Sequence, residues 1–378
     1  MGELTEKVTE KNLNTQYVET FTNSAEFGII SQREFFDHSI SKMEKLDGYY
    51  VVRNEDFVYN PRISVTAPVG PINRNKTGRI GVMSPLYTVF RPHDVDNTYL
   101  EHFFKSKYWH SFMNFNGDSG ARSDRFSIKD NMFFQMPIPT PDMDEQKKIG
   151  KYLTNLDHLI TLHQRKYDSL VNVKKAMLEK MFPKNGETVP EIRFKGFTDA
   201  WEQRKLGEIA EKLTEKNTDM KYNETFTNSA EFGVISQRDF FDHDVAKADK
   251  INGYYIICND DFVYNPRISV TAPVGPINRN KLGRTGVMSP LYTVFRTKNI
   301  SNLYLEWFFK GKQWHGFMRF NGDSGARADR FSIKDELFFQ MSIPLPVIEE
   351  QEKVGVLLKT LDRLITLHQR KQFLKVRR

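Results

Sequence analysis

The sequence predicts an α+β protein in which two similar, globular, mixed α/β domains are separated by two long helices. The chain repeats itself at an offset of 205 residues, and "DFVYNPRISVTAPVGPINRNK" occurs at 56–76 and again at 261–281. Each copy starts with short β-type segments broken by Gly, Pro and Asn, and each ends in a long stretch with helical periodicity. A repeat this long indicates duplicated domains rather than a solenoid.

The β-type part of each copy is expected to fold as a globular domain, at residues 1–140 and 207–345. In the first copy, GYYVV (48–52) and GVMSPLYTVF (81–90) have the composition of strands, and one helix-like stretch runs from 97 to 113. Gly, Pro and Asn between these segments favour turns. The sequence therefore predicts mixed α/β domains with short strands.

A long helix is predicted after each domain, at 141–182 and 346–378, with a Pro- and Gly-containing connector at 183–206. Asp142, followed three residues later by Glu145, can form a capping box at the start of the first helix. At 1.5 Å per residue, about 35 residues make a rod of roughly 50 Å. Such a helix is longer than the core of its own domain requires.

The apolar residues of both helices follow a repeat with a period of about seven residues, which favours a partner helix. We expect the two helices to supply each other's partner as an antiparallel coiled coil with a pseudo-twofold axis. The alternative is that each helix folds back on its own domain. The residues predicted to make the partner contacts are Leu153, Leu156, Ile160, His163, Leu358, Leu361, Ile365 and His368.

The composition is compatible with an anionic partner but does not require one. Lys and Arg number 55 against 48 Asp and Glu, which gives a formal net charge of +7. The single cysteine, Cys258, excludes an internal disulfide and a thiolate metal site. The charged N-terminus and the absence of a long apolar run predict a soluble cytoplasmic protein that does not bind a membrane.

No catalytic residues and no metal ligands are predicted. Asn60-Pro61 invites comparison with the Asn/Asp-Pro-Pro-aromatic motif of amino-methyltransferases, but Arg62 and Ile63 stand where that chemistry needs proline and a stacking ring. No G-x-G-x-x-G turn is present to hold a cofactor. The carboxylates after Pro141 are too closely spaced for a nuclease site, and the histidines lack metal-ligand spacing. The chain is therefore expected to be non-catalytic on its own.

Clustered Arg, Asn and Lys residues predict a surface that reads bases, since Arg suits guanine, Asn suits adenine and Lys suits phosphate. Pro68, Gly70, Pro71 and Gly78 should expose the first cluster on a loop. A solvated turn is the alternative for each residue. The candidates in the first copy are Arg33, Arg62, Asn73, Arg74, Asn75, Lys76, Arg79, Arg122 and Arg125. Their counterparts are Arg238, Arg267, Asn278, Arg279, Asn280, Lys281, Arg284, Arg327 and Arg330.

Three segments carry a resemblance to a known family. They are "PIPTPDMDEQKKIGKYLTNLDHLITLHQRK" (137–166), "SIPLPVIEEQEKVGVLLKTLDRLITLHQRK" (342–371) and the central "PEIRFKGFTDAWEQRKLGEI" (190–209). Together with the two domains, they resemble the DNA-specificity subunit of Type I restriction–modification enzymes. The resemblance spans essentially the whole chain.

The resemblance implies two target-recognition domains, each of which reads one half of a bipartite site on double-stranded DNA. It also implies two methyltransferase subunits, which use S-adenosylmethionine to methylate adenine, and ATP-driven restriction subunits. S-adenosylmethionine, ATP and Mg²⁺ are thus expected on the partners and no cofactor on this chain. The alternative is a non-catalytic interaction scaffold or regulator of a restriction system.

The duplication sharpens this expectation, because nearly identical domains should read nearly identical half-sites. If the helices relate the domains by a pseudo-twofold axis, the half-sites are inverted. One departure concerns the segment 190–206, which has no counterpart before Gly2. The first domain is therefore expected to lack an edge element that the second domain has.

Overall fold

A computed structural model describes residues 1–36, 43–119, 124–184, 186–241, 248–323 and 329–376. The chain divides into two compact units, Met1–Thr161 (unit 1) and Leu162–Arg378 (unit 2). Each unit contains short strands and helices in the same order, and two helices are much longer than the rest. The predicted α+β class, with two similar halves and two long helices, is confirmed.

Unit 1 contains eight short strands and the start of a long helix within its described residues. The strands are β1 (Thr5–Lys7), β2 (Phe21–Ser24), β3 (Gly28–Ser31), β4 (Tyr50–Val52), β5 (Phe57–Tyr59), β6 (Ile72–Arg74), β7 (Gly81–Met83) and β8 (Thr88–Pro92). The helices are α1 (Gln32–Phe36), α2 (Asn97–Lys105), α3 (His110–Asn116), α4 (Asp130–Phe133) and α5 (Met143–Lys180), which continues into unit 2.

The main sheet of unit 1 has the order β1-β8-β5-β6, with antiparallel neighbours throughout. In its centre, Phe57 pairs with Arg74 on one side and with Phe90 on the other. Phe57, Phe90 and Phe104 pack together in the core, with ring centroids about 6 Å apart. This packing holds α2 against the sheet.

Unit 2 repeats this set of elements and adds one strand at each side of the second domain. The strands are β9 (Glu202–Lys205), β10 (Ala210–Lys212), β11 (Thr225–Ser229), β12 (Gly233–Ser236), β13 (Tyr255–Ile257), β14 (Phe262–Tyr264), β15 (Ile277–Arg279), β16 (Gly286–Met288), β17 (Thr293–Thr297) and β18 (Ser342–Leu345). The helices are α6 (Leu206–Ile209), α7 (Gln237–Phe241), α8 (Asn302–Lys310), α9 (His315–Asn321), α10 (Asp335–Phe338) and α11 (Ile348–Val376).

The main sheet of unit 2, β10-β17-β14-β15, matches that of unit 1 strand for strand. The added strands β9 and β18 pair with each other in antiparallel register. In unit 1, the residues equivalent to β18, 137–140, lie outside any strand. The two-stranded β9–β18 sheet thus has no counterpart among the described residues of unit 1.

The start of α5 was predicted correctly, whereas the end of α2 was not. The amide of Glu145 donates to the Asp142 side chain at 2.9 Å, so Asp142 caps the start of α5 as predicted. The single helix predicted over 97–113 is wrong, because α2 ends at Lys105 and the next residue, Ser106, has an extended backbone. The Ser106 hydroxyl donates to the Phe103 carbonyl, which ends α2 before α3 begins.

Within unit 2, the last part of α5 and the second half of α11 run antiparallel to each other. His163 Nδ1 lies 3.3 Å from Nδ1 of His368, its equivalent in the repeat. Further along, Lys174 pairs with Asp362. Residues with higher numbers in α5 therefore contact residues with lower numbers in α11, as in an antiparallel pair. At the two histidines, this pairing has a local twofold relation.

The first half of α11 instead folds back on its own domain, which was the alternative for the whole helix. Leu358 belongs to the core of unit 2, and Leu361 and Ile365 are also buried. Of the residues predicted to contact the partner helix, Leu358 thus packs in the core of unit 2. Leu361 and Ile365 lie close to Asp362 and His368, which contact α5, and their role in the helix pair stays a prediction. On α5, Ile160 is exposed, and Leu153 and Leu156 are half-buried.

Among the described residues, no helix is both long enough and apolar enough to cross a membrane.

Candidate nucleic-acid interface

Asn60 shapes the turn that follows strand β5. Its amide nitrogen donates to the Asn23 carbonyl at 2.7 Å, and its amide oxygen accepts from the backbone N–H of Arg62 at 2.9 Å. The equivalent side chain in unit 2 makes the same two bonds. Asn60 thus forms an Asx turn that fixes the backbone before Arg62, whose side chain is exposed.

The turn places Arg62 directly opposite Arg125, a residue more than sixty positions away. The Ile63 N–H donates to the Asp124 carbonyl, and the Phe126 N–H donates to the Pro61 carbonyl, at 3.0 and 2.8 Å. Residues opposite each other in such a bridge project to the same face. The same bridge joins Arg267 to Arg330 in unit 2. The structure thus brings together two predicted candidates in each copy.

These paired arginines have unbalanced charge. Within the part of the chain that the structure describes, none of the four forms an ion pair with a carboxylate. Like charges directly opposite each other destabilise a β-bridge, and a bound anion would remove that repulsion. Each arginine pair is therefore suited to contact phosphates or the acceptor edge of guanine.

In unit 2, the arginine pair lines a cavity of about 400 Å³. Phe240 and Tyr292 also line it, as does the carboxylate residue Glu231. The side-chain amides of Asn265 and Asn228, in the same lining, are already hydrogen-bonded within the fold. The cavity thus places aromatic rings next to Arg267 and Arg330. Val270 and its equivalent Val65 are fully exposed on the same turns, although sequence reasoning had not selected them. The sequence feature that could have identified these two valines is an apolar residue within a polar, Pro-rich segment.

Arg74 and Asn75 are not exposed on a loop, so that part of the expectation is wrong. Arg74 ends strand β6 with its side chain 11% exposed, and it pairs with Glu101 and Glu55 at 2.5 and 3.1 Å. Asn75 is fully buried and donates to two backbone carbonyls. Both side chains hold the sheet together. The expectation of an exposed loop is also wrong for Arg279 and Asn280, which make the equivalent contacts.

Asn73 is also committed to the fold. Its amide nitrogen donates to the Asn23 side chain at 2.7 Å and to the Ser24 carbonyl at 3.1 Å. These bonds join strand β6 to the β2–β3 hairpin, and Asn278 makes them in unit 2. An adenine would have to compete with both bonds for this amide, which removes Asn73 and Asn278 from the preferred candidates.

Lys76 and Arg79 are about half exposed but have carboxylate partners. Lys76 pairs with Glu101 at 2.8 Å, and Arg79 pairs with Glu19 and Glu34. Burial raises the pKa of Glu101, but the hydrogen bond from Lys76 and the neighbouring cations outweigh it and hold that pKa below its ordinary value. The equivalents Lys281 and Arg284 pair with Glu306 and Glu224. All four cations are thus already partly neutralised.

Arg33 and Arg238 are exposed on α1 and α7. Arg122 and Arg327 lie outside the described residues. Over the described ranges, no group of three or more His, Cys, Asp or Glu residues could hold a metal ion.

The fold and site define a duplicated protein with an arginine pair suited to nucleic acid in each unit. The model of one family, the Type I restriction modification DNA specificity domain, matches residues 2–172 and 198–374. The chain belongs to this family. The resemblance to the specificity subunits of Type I restriction–modification systems is thereby confirmed.

Two relatives come from Methanocaldococcus jannaschii. The Type I restriction enzyme MjaVIII specificity subunit is 23% identical over 367 residues, which cover 87% of this chain and 83% of that protein. The putative type I restriction enzyme MjaX specificity subunit is 26% identical over 264 residues, which cover 65% of this chain and 57% of that protein.

Solved structures of similar proteins include the HsdS subunit from Thermoanaerobacter tengcongensis, with a TM-score of 0.49 and 16% identity over 98% of this chain and 90% of that one. The S subunit of a Type I restriction–modification system from M. genitalium gives a TM-score of 0.45 and 12% identity, with the same two coverages.

Proposed function

We propose that the chain binds double-stranded DNA sequence-specifically and that each unit reads one half of a bipartite site. The observation that carries this proposal is the pair of unbalanced arginines, Arg62 with Arg125 and Arg267 with Arg330, built identically in both units. Arg62 and Arg267 are the more exposed members and are assigned to base edges. Arg125 and Arg330 stand beside them, where they can hold phosphate or a second base.

The two half-sites are near-identical and inverted. Near-identity is supported by the repeat, which keeps the segment 56–76 unchanged at 261–281. Inversion is supported by the helices, because the repeat-equivalent His163 and His368 meet in an antiparallel pair. Twofold-related readers suit the two antiparallel strands of DNA.

The chain is non-catalytic in this proposal, and its partners carry the chemistry. Two methyltransferase subunits, with S-adenosylmethionine, modify adenine in the DNA that the chain selects. Restriction subunits, with ATP and Mg²⁺, complete the complex. The stripe on α5 that contains the half-buried Leu156 and the exposed Ile160 is a candidate docking surface for these subunits.

A salt titration on a duplex distinguishes DNA reading from a protein scaffold. For the complex of this chain with its methyltransferase, we expect affinity to fall steeply with salt, with a log–log slope of about −0.9 for each phosphate contacted. Arg125→Ala with Arg330→Ala should make the slope shallower. The control is Lys105→Ala, because Lys105 already pairs with Glu101 and Asp157. A slope near zero for the unaltered complex would favour the scaffold.

A further inference from the structure

Each unit presents a valine whose side chain lies entirely in solvent. Val65 is 101% exposed in unit 1, and Val270 is 102% exposed in unit 2. A single exposed apolar residue is common on protein surfaces and needs no explanation by itself. These two valines differ in their location, because each follows by three residues the arginine that is assigned to base edges, Arg62 or Arg267.

The turn that carries Val65 is closed by hydrogen bonds at its tip. The Ser64 N–H donates to the Ala67 carbonyl at 3.0 Å, and the Ala67 N–H donates to Ser64 Oγ at 3.1 Å. Ser64 Oγ also lies 3.2 Å from the hydroxyl of Thr66. The same bonds close the turn around Val270. A β-branched side chain on a closed turn has little conformational freedom to lose on binding.

The root of this turn is fixed in the core of unit 1. Ala67 and Val69 are buried, and Tyr59 Oη donates to the Val69 carbonyl at 3.0 Å. Gly70 closes the loop with a φ of +83°, and a Cβ atom at this position would lie 2.1 Å from the Asn60 carbonyl oxygen. A buried root thus carries the exposed tip, so the valine is presented to a partner by the folded unit itself.

The surroundings of the two valines suit DNA. Residues 57–76 include Arg62, Arg74 and Lys76 but no carboxylate, and residues 262–281 have the same sequence. On the major-groove edges of the base pairs, most groups are hydrogen-bond donors or acceptors, and the 5-methyl group of thymine is the apolar one. An apolar side chain beside an arginine that reads base edges therefore has one chemically matched partner there.

We propose that Val65 and Val270 each contact the 5-methyl group of a thymine, one in each half-site. This inference rests on the proposed function and adds a second kind of base contact to it. Three residues of chain span at most about 11 Å, and base pairs follow one another at about 3.4 Å. The thymine therefore lies within a few base pairs of the base that Arg62 or Arg267 reads.

The test removes the methyl group and keeps the base pair, because deoxyuridine pairs as thymidine does but lacks the 5-methyl group. The probe is the labelled duplex selected from a randomised library by the complex with the methyltransferase, with each thymidine replaced in turn by deoxyuridine. Fluorescence anisotropy measures the affinity. We expect one sensitive thymine in each half-site and a loss of about fourfold, the amount expected for one buried methyl group. Replacing both should weaken binding about sixteenfold, since separate contacts add.

Substitutions of the valines connect this sensitivity to the two turns. Val65→Ser removes both methyl groups of the side chain, so the doubly substituted duplex should lose only about fourfold relative to the unmodified one. Val65→Ser with Val270→Ser should bind both duplexes equally. Val65→Ile is the matched control, because it keeps the apolar contact and should keep the sixteenfold loss. Each readout compares two DNAs on one protein, so a change in folding does not produce it.

Three results would overturn the inference. They are a selected site without an A·T pair in either half, insensitivity to deoxyuridine at every thymine, and a sixteenfold loss that persists after both serine substitutions. The DNA-reading proposal survives each of them if Arg62→Ala still relaxes base preference, because it rests on the arginines. A complex that selects no sequence from the library overturns both proposals.

Discussion

Arg62→Ala should relax base preference in one half-site, and Arg267→Ala should relax it in the other. Each side chain is exposed, fixed by an Asx turn and without a carboxylate partner among the described residues. A bidentate arginine–guanine contact is worth about 1–3 kcal/mol of discrimination, so the preferred base should lose roughly tenfold or more of its advantage. The double variant should lose preference in both halves.

The measurement is selection from a randomised duplex library by the complex with the methyltransferase. Arg79→Ala is the matched control, because Arg79 belongs to the same segment but pairs with Glu19 and Glu34. It should change preference little. If base preference is the same after both Arg62→Ala and Arg267→Ala, these arginines do not read bases.

Glu350→Ala should destabilise unit 2 by about 3–5 kcal/mol, since it leaves the largely buried Arg193 guanidinium without a counter-charge. The variant also releases the segment from the end of α5 to strand β9, which covers the apolar surface around Tyr304. Tryptophan fluorescence during denaturation reports this loss, because Trp201, Trp307 and Trp314 all lie in unit 2.

The repeat supplies the control for this experiment. Glu145→Ala removes the equivalent carboxylate from an exposed position, where substitutions usually change stability by less than about 0.5 kcal/mol. Equal losses for the two variants would show that the Arg193–Glu350 pair does not anchor the segment.

The sequence predicted the features that depend on local pattern. The internal repeat required two similar units, and Asp142 with Glu145 marked the start of α5 within one residue of the observed helix. Helical periodicity predicted the long helices, because it is a property of contiguous residues. The break at Ser106 was missed, since its apolar neighbours continue the periodic pattern across it.

Features that depend on distant residues could not be predicted in the same way. Arg74 and Asn75 were expected on a loop. The sequence does not reveal that Arg74 forms an ion pair with Glu101, because Glu101 lies in a different element. The meeting of Arg62 and Arg125 requires a bridge between separate segments. The burial of Glu350 depends on Arg193, which is more than 150 residues away. Non-local partners of this kind leave no periodic signal in a single sequence.

The methylome of cells that express this chain with its methyltransferase tests the central claim most directly. It records the motif, the spacing and the symmetry of the site in one dataset. The proposed function predicts an interrupted palindrome, with two near-identical inverted half-sites and adenine methylated on both strands. An asymmetric motif with unrelated halves would contradict it.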